Sequence, residues 1–206
     1  MPDRSGRVTA PVRESPPILS GRGVAGHAGV AVSALAAAGA SIWAAPGVTG
    51  AFGAALALIM LAIAVVDQRR FTIPNELTAA AAALGLVYAA VAEPHAMAEA
   101  VGLSAVRGVA LALMFLGLRE AYRRLRGREG MGLGDVKLAG VGGVWLAWPA
   151  IPIALEIAAL SALAALALGH VLGRRRIHAA TRLPFGLFLA PATWLAWLFQ
   201  VWFDLS

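Results

Sequence analysis

The sequence predicts an all-α fold: a polytopic membrane bundle of about seven helices. Three observations carry that expectation. The chain is 60% apolar and only 14% charged over 206 residues, with mean hydropathy +0.76. A soluble domain carries roughly a quarter charged residues, and one aqueous core could not hide this much apolar surface. Apolar runs of membrane length recur along the chain, and Lys and Arg fall only in every second connection between them.

Taken in order, the spans read as residues 28–45, 48–66, 77–92, 100–118, 136–149, 151–172 and 185–203. The second is the clearest, being uncharged and filled with Leu, Ile, Met and Val. The first is richer in Ala and Gly. The third and fifth are short, so neighbouring helices would cover part of each in place of lipid. Arg4, Arg7, Arg13 and Arg22 precede the first span, and Arg69 and Arg70 follow the second. Arg119, Arg123, Arg124, Arg126 and Arg128 follow the fourth, and Arg174, Arg175, Arg176 and Arg182 follow the sixth. The alternate connections near Pro46, at 93–99 and near Pro149 hold no Lys or Arg. The positive-inside rule then places the N-terminus and every basic connection in the cytoplasm.

Residues 1–27, rich in Pro, Arg, Gly and Ser, read as a disordered basic tail, leaving 28–206 as the membrane domain. An alternative makes the start and first apolar run a cleavable signal ending near Trp43-Ala44-Ala45-Pro46. The polar lead is long for a signal, and cleavage would leave six helices with the same inner face. Without cysteine the chain offers no disulfide, thiolate nucleophile or Cys-ligated zinc. His27, His95, His170 and His178 lack metal-ligand spacing, so no metal or other cofactor is expected. The formal charge of +6 is spread by topology and forms no nucleic-acid motif.

Two acids stand out. Asp67 ends the uncharged run 48–66, and Asp135 closes the turn Gly132-Leu133-Gly134-Asp135 before the next apolar run. A carboxylate at the edge of hydrocarbon is costly and calls for a reason. Two carboxyls brought together could share one proton: one draws a proton from water while the other polarises a peptide carbonyl. Like charges held close cannot both ionise, so a proton is kept near neutral pH. Gly132 and Gly134 would supply dihedrals closed to other residues and let a substrate strand approach. Pro74 would stop the second helix and Asn75 cap the third. The plainer alternative makes Asp135 an N-cap and Asp67 a loop acid paired with Arg69 or Arg70.

The run Glu129-Gly130-Met131-Gly132-Leu133-Gly134-Asp135-Val136-Lys137-Leu138 resembles the GxGD signature of the type IV prepilin peptidase family. Asp67 with Ile73-Pro74-Asn75 and Leu77-Thr78 resembles that family's first catalytic segment. Leu183-Pro184-Phe185-Gly186-Leu187-Phe188-Leu189-Ala190 resembles its last motif, with Leu187 where proline is expected. The three matches run in order over residues ~50–203. The resemblance implies an aspartic endopeptidase that removes the short basic leader of prepilins or pseudopilins at the cytoplasmic face. It gives Asp67 and Asp135 the catalytic role, Gly132 and Gly134 the shaping of the turn, and Pro184, Phe185 and Gly186 a supporting loop. Implied partners are those substrates, membrane lipids and a pilus or secretion machinery, with no nucleic acid. Fuller members also N-methylate the product, using an inserted domain often bearing Cys-x-x-Cys motifs; this cysteine-free chain is expected to lack that activity. Three rivals stay open: a transporter, a non-catalytic subunit of a pilus or secretion assembly, and a presenilin-like GxGD protease.

The remaining charged and aromatic residues carry lesser expectations. Lys137, two residues after Asp135, points to a different helix face; snorkelling to headgroups is the first reading, contact with substrate or Glu129 the second. Arg107 and Glu156 lie inside spans at about 8–10 Å depth, which suggests an intramembrane ion pair. Arg123, Arg124, Arg126 and Arg128 are expected at anionic headgroups. Gly140, Gly142 and Gly143 suggest close helix packing. Trp43, Trp145, Trp148, Trp194, Trp197 and Trp202 read as outer-interface anchors.

Overall fold

A computed structural model describes residues 22–127, 130–172 and 184–205 of the chain. Among these residues are seven helices and no strand: α1 (Arg22–Ala44), α2 (Val48–Arg70), α3 (Asn75–Ala92), α4 (Met97–Arg126), α5 (Leu133–Trp145), α6 (Ala150–Val171) and α7 (Gly186–Trp202). By length and composition α2, α3, α4 and α6 are apolar enough to cross a membrane, and the order of helices is the expected one. Several boundaries differ. Helix α1 begins at Arg22, inside the expected tail, whose residues 1–21 lie outside the described residues. Helix α4 runs 30 residues, about 45 Å, and carries Arg119 to Arg126 in helix where a loop was expected. There Glu120 pairs with Arg123 and Arg124 at 2.8 Å, one turn along the same helix.

Helix α2 also runs past its expected end, so Asp67 lies in its last turn. Phe71 stops it: its left-handed backbone (φ 52, ψ 36) turns the chain away while its N–H bonds the Asp67 carbonyl at 2.9 Å. The stop therefore precedes Pro74. Pro74 instead sits extended just before α3, and Asn75 is the first helical residue, with no cap bond from its side chain.

Helix α5 is the hub, packed against α3, α4 and α7. At 13 residues it reaches about 20 Å, short of the roughly 30 Å hydrocarbon core. Its neighbours enclose it, burying Val136, Leu138, Ala139, Val141, Gly142, Gly143 and Trp145. Glycines allow that approach. A Cβ on Gly143 would lie 2.5 Å from the Arg107 carbonyl oxygen of α4, and one on Gly108 2.6 Å from Val144. Gly143→Ala is thus expected to force the two backbones apart and cost about 1–3 kcal/mol. Gly142→Ala, whose Cβ would meet Thr193 at an ordinary 3.7 Å, is expected to be neutral; thermal unfolding in detergent compares the two.

Arg107 and Glu156 form no ion pair: α4 and α6 do not touch, and Glu156 is exposed. Arg107 instead donates to Ser104 Oγ at 2.9 Å and to the Gly143 carbonyl at 3.4 Å. Trp145 and Trp197 are core residues, 2% and 0% exposed. Tyr88 stacks on Trp145 at 5.3 Å, the Trp145 indole donates to the Ala81 carbonyl at 2.8 Å, and Gly53 leaves the space that Trp197 fills. Trp43, Trp148 and Trp202 are exposed, Trp43 stacking on Trp202 at 4.9 Å, and Trp194 bonds Ser41.

Candidate active site

Three helix ends meet at one end of the bundle: the C-terminus of α2 with Asp67, the N-terminus of α5 with Asp135, and the N-terminus of α7. The buried side chain of Ile73, in the 71–74 connection, lies between them. A Cβ on Gly134 would stand 3.0 Å from Ile73 Cβ, and one on Gly186 2.7 Å from Ile73 Cδ1 and 2.8 Å from Asp67 Oδ2. A side chain at Gly134 or Gly186 would thus press on Ile73, and at Gly186 also on the Asp67 carboxylate. The expectation of unusual dihedrals fails: Gly132 is ordinary extended backbone (φ −75, ψ 154), and Gly134 is helical. A Cβ on Gly132 would meet only Asp135 Oδ2, at 3.5 Å.

Asp67 is 5% exposed, and its carboxylate is not left bare. The Leu187 amide donates to its Oδ2 at 3.0 Å, with the Gly186 amide beside it. Those N–H groups belong to the first turn of α7, where the helix dipole favours an anion. The helix therefore supplies the partner that Arg69 or Arg70 was considered for. Leu187 stands where the family resemblance called for proline, and a proline there could not donate this bond. Pro184 and Phe185 lead into this turn, Phe185 immediately before the first helical residue.

Asp135 is the third residue of α5, not its N-cap. Its Oδ2 accepts the Gly132 N–H at 3.2 Å, the side-chain half of a capping box. Burial pushes its pKa up to about 6, the Gly132 hydrogen bond opposes the rise, and the negative charge of Asp67 adds to it. Each carboxyl thus lies within the other's field, although the backbones of α2 and α5 come no closer than 8 Å between Cα atoms.

The sign of this shift gives a stability prediction. A carboxyl that binds its proton more tightly in the folded state favours folding at low pH, and that contribution is lost as pH rises from about 4 through 6. A rise of that size corresponds to about 3 kcal/mol at most. Asp135→Asn, neutral throughout, is therefore expected to match wild type in unfolding temperature at pH 4 and to exceed it at pH 8.

Lys137 turns away from Asp135, and its Nζ donates to Asn75 Oδ1 at 2.7 Å, a contact with another helix where lipid was expected. Glu129 lies outside the described residues. Arg107 and Glu156 lie away from this end. Among the described residues, no three His, Asp or Glu side chains gather as metal ligands. Ile73 and the Leu187 amide are the parts that sequence reasoning did not assign. Ile73, the only branched aliphatic side chain between Arg69 and Asn75, was the signal for the first.

Comparison with known proteins bears on this site. The type IV leader peptidase family profile matches residues 54–169, which include both aspartates. The prepilin leader peptidase/N-methyltransferase of Aeromonas hydrophila is 34% identical over 143 residues, 69% of this chain and 47% of that protein. That of Pseudomonas putida is 31% identical over 139 residues, 66% of this chain and 46% of the relative. The leader peptidase HopD of Escherichia coli is 32% identical over 126 residues, 61% of this chain and 78% of HopD. The chain spans about half the length of the first two relatives. No solved structure matches. With the family profile spanning more than half of the sequence, and both aspartates within it, the chain belongs to the type IV leader peptidase family.

Proposed function

We propose that the protein is a membrane aspartic endopeptidase that cuts the short basic leader from type IV prepilin-like proteins at the cytoplasmic face of the inner membrane. The observation that carries this reading is the convergence of Asp67 and Asp135 around Ile73, with Asp67 seated on the first amides of α7. Orientation rests on charge: Arg69, Arg70, Arg119, Arg123, Arg124 and Arg126 lie at this end. The connections at the other end, 45–47, 93–96 and 146–149, carry no Lys or Arg. The substrate class follows from the names of the relatives.

The two carboxyls differ in environment, and that difference assigns roles. Asp67 is buried, but the backbone amides of a helix start hydrogen-bond its carboxylate; in this reading it is the base that takes a proton from the attacking water. Asp135, which keeps its proton up to about pH 6, donates to the peptide carbonyl oxygen. As the amine leaves, the proton held by Asp67 passes to it, and a hydroxyl of the tetrahedral intermediate returns its proton to Asp135 as the carboxylic acid forms.

The proposal includes no N-methyl transfer. Helices α1 to α4 follow one another through residues 45–47, 71–74 and 93–96, which leaves no inserted domain between them, and no cysteine is present. Co-expression with a candidate prepilin tests both statements. The expected product has lost its leader just before the apolar helix, carries an unmethylated N-terminus, and is absent with the Asp67→Asn, Asp135→Asn double variant. Leader removal undiminished in that variant would overturn the reading.

A further inference from the structure

We propose that Lys137 and Asn75 form a positioning bridge that fixes the separation of the two carboxyls; this rests on the peptidase reading above. The backbones of the helices that carry Asp67 and Asp135 do not approach each other: no Cα of one lies within 8 Å of a Cα of the other. Their relative placement must therefore be transmitted through other parts of the chain. One route is the buried Ile73 side chain. Helices α3 and α7, which each pack on both α2 and α5, give another. At the mouth of the site a further route is the 2.7 Å hydrogen bond between Lys137 Nζ and Asn75 Oδ1, which joins residues 62 apart in sequence.

The two ends of that bond are well placed for the task. Lys137 lies two residues after Asp135. Asn75 opens α3, at the end of the connection that begins after Asp67's helix. On the opposite flank, Arg119 Nε of α4 donates to the Met131 carbonyl at 3.1 Å. The turn that carries Asp135 is thus tethered on one side to α4 and on the other to α3. Deeper in the bundle, α3 and α5 are already pinned by the Trp145 indole on the Ala81 carbonyl. That contact is buried and lies about 12 Å along α5 from Lys137, so it holds the far end of the helix and not the first turn itself.

Lys137 and Asn75 are both exposed, and an exposed hydrogen bond contributes little to folding. Positions two apart on a helix face different directions, so Lys137 does not reach the reacting atoms through Asp135. The bridge acts on geometry alone. A small displacement of a reacting group is enough to lower a rate by up to about a hundredfold.

The test uses the full chain in detergent with a prepilin substrate. Lys137→Met and Asn75→Ala are each expected to lower kcat by ten- to a hundredfold, with KM and unfolding temperature unchanged. The double variant should be no worse than either single one. Asn75→Asp, which keeps an acceptor for the ammonium, should restore most of the rate. Because the chain has no cysteine, nitroxide labels on Gln68→Cys and Leu133→Cys report the spacing directly. Their distance distribution should broaden when Lys137→Met is added. Additive losses in the double variant, unchanged cleavage in Lys137→Met, or an unchanged distance distribution would each overturn the bridge. Undiminished cleavage in the two aspartate variants would instead remove the peptidase reading, while the label distances would still decide whether the bridge holds the turn.

Discussion

Asp67→Asn and Asp135→Asn are each expected to lower leader removal by at least about a thousandfold while leaving the bundle folded. An amide cannot take the proton from water at position 67, nor donate an acidic one to the carbonyl at position 135. The substitutions preserve shape. An asparagine at 67 still offers an oxygen to the Leu187 amide, and one at 135 still accepts from Gly132 N–H. Because the two groups act in one step, Asp67 on the water and Asp135 on the carbonyl oxygen, the double variant should be about as slow as either single variant. The measurement is the rate of mature product by gel shift, with unfolding temperatures recorded alongside. A single variant that retains more than about a tenth of the wild-type rate would break the assignment of that residue, because general acid–base catalysis contributes at least about a hundredfold.

Gly186→Ala is expected to cost about a hundredfold in kcat without loss of fold. The new methyl would stand 2.8 Å from Asp67 Oδ2 and 2.7 Å from Ile73 Cδ1. The end of Ile73 can swing, but Asp67 is held by the Leu187 amide and must slide or break that bond. A shift of about half an ångström is needed to reach ordinary contact, and placement of reacting atoms is where rates are most sensitive. Helix α7 itself should not suffer, since alanine is the better helix former. Gly142→Ala serves as the control, its methyl meeting Thr193 at 3.7 Å. If Gly186→Ala cleaves at the wild-type rate, the seat of Asp67 is softer than the packing implies.

The sequence made the helices and their order legible because burial in lipid leaves long uncharged runs, which no turn or loop imitates. It made Asp67 and Asp135 legible for a related reason, since charge at the edge of such a run is costly. What escaped was azimuth. Arg107 and Glu156 are expected at similar depth from their positions along the spans, yet depth says nothing of which way a helix faces, and their helices are not neighbours. Trp145 and Trp197 failed the same way: a tryptophan near a helix end can face either solvent or the core. The Lys137–Asn75 contact joins distant segments through two polar residues that each had a simpler local explanation. Gly134 was read as a matter of backbone freedom, whereas its role is to make room for Ile73.

That isoleucine has a bearing on how the protein can change over generations. Positions 73, 134 and 186 compete for one small volume, so none of them drifts alone. In descendants of this sequence, a methyl gained at 134 or 186 should be accompanied by a trimmed side chain at 73. The three should therefore covary as a set, even though two of them are glycines that a substitution table would treat as unrelated.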